Sequence, residues 1–177
     1  MGAARQAKVS VEEYLELDER SERGLDFHDG VVFPPIEVTI AHTRLTSRLG
    51  QMFGRRLPKG CEALDNARVR VTTRQFVHPD LILVCGKLQI AGPKDSSTIN
   101  PKVIIEVLSP STADYDRGGK FELYQQLATF EEYLLVSQDK PHVMVYRKQS
   151  GTRWTLEIIR GLDATVLVAS LGVDLPL

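Results

Sequence analysis

The chain has 177 residues, 42% of them hydrophobic, a formal net charge of −1 and a pI near 6.4. That length closes one well-buried core and is short for two, and the near-zero charge excludes a protein that holds nucleic acid by bulk positive charge. A single domain over residues 1–177 is expected, with any nucleic-acid contact carried by a local patch. Such a patch is present in the sequence. Residues 1–30 carry eight Asp/Glu against four Lys/Arg, whereas residues 42–74 carry eight Lys/Arg (Arg44, Arg48, Arg55, Arg56, Lys59, Arg68, Arg70, Arg74) against Glu62 and Asp65.

The N-terminus, MGAARQAKVS, has no apolar signal region, Gln6 fails the myristoylation pattern, and no stretch reaches the roughly 20 apolar residues of a membrane span. Cys61 and Cys85 belong to no CxxC pair and have no histidines at zinc-ligand spacing; a disulfide between them is allowed but not required. These features imply a soluble cytoplasmic protein with no membrane partner.

In chain order, Ser10-Val11-Glu12-Glu13 reads as a capping box opening a short helix. Residues 25–33 read as two short strands around the Asp29-Gly30 turn, halted by Pro34-Pro35. Apolar spacing from Thr39 to Leu57 predicts a second helix with arginines on its outer side, and Val69-Arg70-Val71-Thr72 alternates as a strand. Pro79-Asp80 opens the strand Leu81–Cys85, and residues 91–101, rich in Gly, Pro, Ser, Thr and Asn, read as a surface loop. Val103–Leu108 is a central strand, residues 113–127 a helix, and Tyr133–Ser137 a strand, together a βαβ crossover with parallel strands. Residues 143–146 and 154–159 form a hairpin, and the tail from Asp163 adds an edge strand or packs on a partner subunit.

Glu106 interrupts the apolar run of the central strand, and a buried unpaired carboxylate must shift its pKa or find a cation. Asp80 stands at the head of the other apolar strand, so the two acids can share a divalent cation. Asp116, Lys120 and Tyr124 fall at i, i+4 and i+8 along one side of the crossover helix. Lys120 can therefore point at the carboxylates. Mg²⁺ suits such a pair, needing only one or two carboxylates and keeping several waters; Mn²⁺ is its substitute. A phosphate-binding-loop reading of Gly118-Gly119-Lys120 fails, because Asp114 and Phe121 stand where the motif needs Gly and Ser/Thr.

Pro79-Asp80, Glu106 through Thr112, Asp116, Lys120, Tyr124 and Glu132 through Val136 together resemble the Uma-type restriction endonuclease family of the PD-(D/E)xK nuclease superfamily. The resemblance implies an α/β restriction-endonuclease-like core, a mixed central β-sheet flanked by helices, with Asp80 and Glu106 on the metal. In the superfamily the lysine usually stands two residues after the second acid; that place is Leu108 here, and the resemblance assigns the role to Lys120. It also assigns roles to Asp26, where glutamate is usual, and to His42. Thr129 and Leu134 depart from the family's glycine and tryptophan in ways that concern packing. The implied function is Mg²⁺-dependent hydrolysis of DNA phosphodiester bonds by a metal-activated water, DNA being held by the basic patch of a homodimer. The alternative is a catalytically inactive nuclease-fold module that binds nucleic acid or protein, with Glu106 and Lys120 as a buried structural ion pair.

Overall fold

The computed structural model describes residues 8–35, 37–109 and 113–177. Gln6, and Pro110 to Thr112 of the family-like motif, lie outside them. Ser10 caps α1 (Val11–Arg20): its hydroxyl accepts from Glu13 N–H while the Glu13 carboxylate accepts from Ser10 N–H. β1 (Asp26–His28) and β2 (Val31–Phe33) pair antiparallel across the turn at Asp29 and Gly30, both at positive φ. Thr39 caps α2 (Ile40–Arg56), its hydroxyl accepting from His42 N–H.

The remaining strands are β3 (Cys61–Asp65), β4 (Val69–Thr72), β5 (Gln75–Val77), β6 (Leu81–Cys85), β7 (Ile90–Gly92), β8 (Asp95–Thr98), β9 (Val103–Leu108), β10 (Glu132–Ser137), β11 (His142–Lys148), β12 (Trp154–Arg160), β13 (Thr165–Val168) and β14 (Val173–Pro176). Two six-stranded sheets result, ordered β2-β1-β5-β4-β8-β7 and β12-β11-β10-β9-β6-β3, with β13-β14 as a separate hairpin.

The second sheet is the mixed one the sequence predicts. β10 runs parallel to β9, from Glu132↔Val103 to Ser137↔Leu108, while β6 runs antiparallel to β9. Both of its faces are covered, which is why β6, β9 and β10 read as nearly unbroken apolar runs. On one face Leu83, Val103, Ile105, Val107, Leu134 and Val136 pack against Leu49 and Phe53 of α2 and against Val166, Val168, Val173 and Leu175 of the β13-β14 hairpin. On the other, Ile82, Val84, Ile104, Leu108, Tyr133 and Leu135 pack against Tyr124, Leu127 and Phe130. Burying each such side chain contributes about 1.5–3 kcal/mol. Glu106 belongs to this second, aromatic face.

Three expectations are corrected. The crossover helix is two short helices, α3 (Ala113–Arg117) and α4 (Gly119–Tyr124), broken at Gly118. Residues 91–101 are not a plain loop: β7 and β8 form a hairpin there, fixed by the buried Asp95 carboxylate against Arg68 and Arg70. The tail forms its own hairpin on this chain's core rather than an edge strand of the main sheet. The sequence reading leaves one strand out: β3 edges the second sheet, and its Cys61 stands opposite Cys85 of β6 and is disulfide-bonded to it, the pairing the sequence allows.

Candidate active site

The β6–β9 register ends at Leu81↔Ile105, and one step further brings Asp80 level with Glu106. Two bonds hold them there: Val107 N–H donates to Asp80 Oδ2 (2.7 Å) and Asp80 N–H to Glu106 Oε2 (3.3 Å). Glu106 is 2% exposed, whereas the Asp80 side chain is 22% exposed. The pair thus runs from the core to the surface where β6 begins and β9 ends.

Lys120 Nζ lies 2.9 Å from Glu106 Oε1 and 3.4 Å from Asp116 Oδ1, and the Tyr124 hydroxyl donates to the same Oε1 at 2.7 Å. The lysine therefore reaches the carboxylate from the helix, while Leu108, on the same face of β9, is buried in the aromatic cluster. The Tyr133 hydroxyl donates to the Asp116 carbonyl (3.0 Å) and anchors α3 to the sheet. His42 comes from α2, its Nε2 3.1 Å from Asp80 Oδ2.

The electrostatics follow from this crowding. Burial, opposed by Lys120 and reinforced by Asp80 and Asp116, pushes the Glu106 carboxyl up to about 8. Burial alone would lower Lys120, but Glu106, Asp116 and Asp26 outweigh it and hold the ammonium charged. The hydrogen bond to Asp80 raises His42 against the opposing effect of burial. Burial raises Tyr124 well above the usual phenol range and keeps it a donor.

Asp26 enters from the first sheet. Its Oδ1 accepts from His78 N–H (2.9 Å), and its charge acts on Lys120, Tyr115 and Tyr124. The five residues singled out in the sequence, Asp80, Glu106, Lys120, Asp26 and His42, are thus brought to one locality. The basic belt divides: Arg68 and Arg70 are ion-paired with Asp18 and Asp95, and Arg74 with Asp29. Arg44, Arg48, Arg55 and Arg56 of α2 remain exposed.

Two arrangements escaped the sequence reading. His78 lies between Asp18 (Nε2 to Oδ2, 3.5 Å) and Asp26 (Nδ1 to Oδ1, 3.6 Å). It packs so closely on Gly24 that a Cβ there would sit 2.1 Å from its Cδ2. The Tyr115 hydroxyl meets His28 Nε2 at 2.9 Å, joining α3 to β1, and its ring occupies the space a Gly119 Cβ would take. The alternation that sets His28 on the face of Asp26 is a signal for the second; nothing local in the sequence announces the first.

Asp80 and Glu106 suit a hard cation by donor type, both being carboxylates, and the negative charge gathered at Asp80, Glu106, Asp116 and Asp26 is what such an ion relieves. Among the described residues no three His, Cys, Asp or Glu side chains form a ready-made metal cage. A two-carboxylate site completed by water is the arrangement these residues fit.

The α/β fold itself is shared with a solved structure. The crystal structure of a putative nuclease belonging to DUF820 from Anabaena variabilis superposes with a TM-score of 0.76 at 19% identity, over 95% of this chain and 94% of that one. The family model Uma2, described as "Putative restriction endonuclease", matches residues 11–177, and the chain belongs to that family. Two proteins of Synechocystis sp. are similar over most of their length. Uncharacterized protein slr1290 is 31% identical over 174 residues (94% of this chain, 88% of that protein), and uncharacterized protein sll1609 is 25% identical over 161 (89% and 91%). Among the described residues no helix is long and apolar enough to cross a membrane.

Proposed function

We propose that this chain is a Mg²⁺-dependent endonuclease of the PD-(D/E)xK type, Mn²⁺ substituting, that hydrolyses DNA phosphodiester bonds in the cytoplasm as a homodimer. The observation that carries the reading is the level pairing of Asp80 with Glu106, with the Lys120 ammonium 2.9 Å from the second carboxylate. Asp80 and Glu106 would hold the ion. When bound, Mg²⁺ supplies charge that polarises a phosphoryl group and lowers the pKa of water.

The protein's own side chains do the rest. Lys120, charged and fixed by Glu106 and Asp116, stabilises negative charge building on the phosphate. His42 orients Asp80 through Oδ2, and Tyr124 fixes the Glu106 rotamer through Oε1. Asp26, the shorter acid, would reach the ion only through water. The exposed α2 arginines, on the helix that delivers His42, contact DNA phosphates.

The competing reading, a non-catalytic module, draws on one observation: Glu106 Oε1 already has two partners, Lys120 and Tyr124, as a structural ion pair would. Calorimetric titration of Mg²⁺ and Mn²⁺ into wild type, Asp80→Ala and Glu106→Ala, with plasmid nicking on the same samples, separates the two. The nuclease reading expects binding and nicking in wild type and neither in the variants. A wild type that binds no ion, with or without DNA, sinks it.

A further inference from the structure

β12 is the outer edge of the second sheet, and its seven residues pair with β11 without a break, from His142↔Arg160 to Lys148↔Trp154. Among the described residues its other backbone edge has no partner strand. Edge strands are ordinarily blunted by proline, lysine, a bulge or a covering element. The sequence WTLEIIR contains neither Pro nor Lys, its two charges are Glu157, held by Arg147, and the terminal Arg160, and the register shows no bulge.

Alternation along β12 sorts its side chains. Trp154, Leu156 and Ile158 share the face of the aromatic cluster, where Trp154 packs on Phe121 and Phe130. Leu156 and Ile158 nevertheless remain 47% and 43% exposed. On the opposite face Glu157 is held by Arg147.

We propose that β12 pairs antiparallel with β12 of a second copy of this chain, about a two-fold axis at Leu156, so that the two six-stranded sheets become one. Strand overlap and residue chemistry together select this register, since centring on Thr155 would pair only Trp154 to Leu156 of the strand and leave Ile158 beyond the match. A two-fold axis normal to the sheet keeps each face on its own side, so opposed residues must have equal parity. Centring on Leu156 sets Leu156 against its own copy, Trp154 against Ile158 of the second copy, and Thr155 against Glu157 of the second copy. It also brings Arg153 diagonal to Glu157 of the second copy, within reach of an opposite charge. Centring on Glu157 would oppose two carboxylates, and centring on Ile158 would set Leu156 against Arg160. Both halves of the apolar match come from one strand, which is the self-complementarity an isologous interface requires and an unrelated partner does not. The inference supplies the surface for the dimer proposed above and rests on that dimer, but its test does not use cleavage.

Sedimentation equilibrium of the full chain reads it directly. Wild type is expected at twice the 19.8 kDa chain mass, and Leu156→Lys and Ile158→Lys at the chain mass itself, with far-ultraviolet dichroism close to wild type. Oxidative cross-linking keeps the test sharp if a lysine variant misfolds. Leu156→Cys should join two chains, and Glu157→Cys should do so about tenfold more slowly, because its copies lie on a diagonal rather than face to face. Lysine variants that stay dimeric, or faster cross-linking at 157 than at 156, overturn this surface and leave the dimer standing. A wild type that is monomeric at every concentration overturns both, and in each case the metal titration still judges the nuclease reading.

Discussion

Tyr124 and Lys120 share one oxygen of Glu106, and the two bonds differ in what their loss leaves behind. Tyr124→Phe deletes a buried hydrogen bond to a carboxylate, a loss of about 1.5–3 kcal/mol in urea unfolding. Lys120→Met leaves Glu106 without its cation in the core, so a larger loss of about 3–5 kcal/mol is expected from the same measurement. Equal losses would mean that the ammonium is not what holds this carboxylate. His78 gives a pH prediction. Burial lowers its pKa, but Asp18 and Asp26 outweigh burial and raise it above 6.5. A histidine whose folded pKa is raised contributes stability that is complete below its unfolded pKa and lost as pH rises through the folded one. Unfolding free energy measured from pH 6 upward should therefore fall as pH passes that raised value, and His78→Gln should flatten this part of the curve. Asp80, Glu106 and Lys120 were legible because a carboxylate inside an apolar run and a lysine at helical spacing each demand an explanation. His78 was not, because its partners Asp18 and Asp26 stand far from it in sequence and only the fold brings the three together.

Elements were read correctly where local chemistry decides them and misread where distant partners do. The Ser10 capping box, the Asp29-Gly30 turn, the Thr39-capped α2 and the β9–β10 crossover are each written into a few adjacent residues. The β7–β8 hairpin is not: its residues are turn formers, and what orders them is Asp95 held by Arg68 and by Arg70 of β4. The crossover helix breaks at Gly118-Gly119 because α3 turns there to lay Tyr115 across Gly119 toward His28, a contact with β1 that helical periodicity cannot announce. The tail carries the clearest prediction at this scale. Val166, Val168, Val173 and Leu175 form one wall of the core over β9 and β10, and Glu132, at the head of β10, accepts from the amides of Ala169 and Ser170. Leu175→Ala should accordingly cost about 2–5 kcal/mol, as a core truncation does, measured by chemical unfolding. A cost within about 0.5 kcal/mol, the range of a surface substitution, would show that the hairpin is an appendage.

At the scale of the whole molecule, the two sheets meet at the acidic site. Asp26 and His28 come from the first, Asp80 and Glu106 from the second, and Lys120 and Tyr115 from the crossover helices between β9 and β10. The folded chain gathers four carboxylates there, Asp26, Asp80, Glu106 and Asp116, around one ammonium, and the unfolded chain does not. That asymmetry makes a cation bound at Asp80 and Glu106 a ligand of the folded state alone, and such a ligand stabilises by mass action. At a free concentration about one hundred times its Kd it adds about 2.7 kcal/mol to the unfolding free energy. Thermal unfolding of wild type with Mg²⁺ or Mn²⁺ added after exhaustive chelation should therefore show a rise in Tm that grows with the logarithm of the ion concentration. Asp80→Ala and Glu106→Ala should lose that rise, whereas Arg48→Ala, an exposed change on α2, should keep it while weakening attachment to DNA. If all four proteins respond alike to the ion, binding is to the general surface charge and the carboxylate pair is not its site.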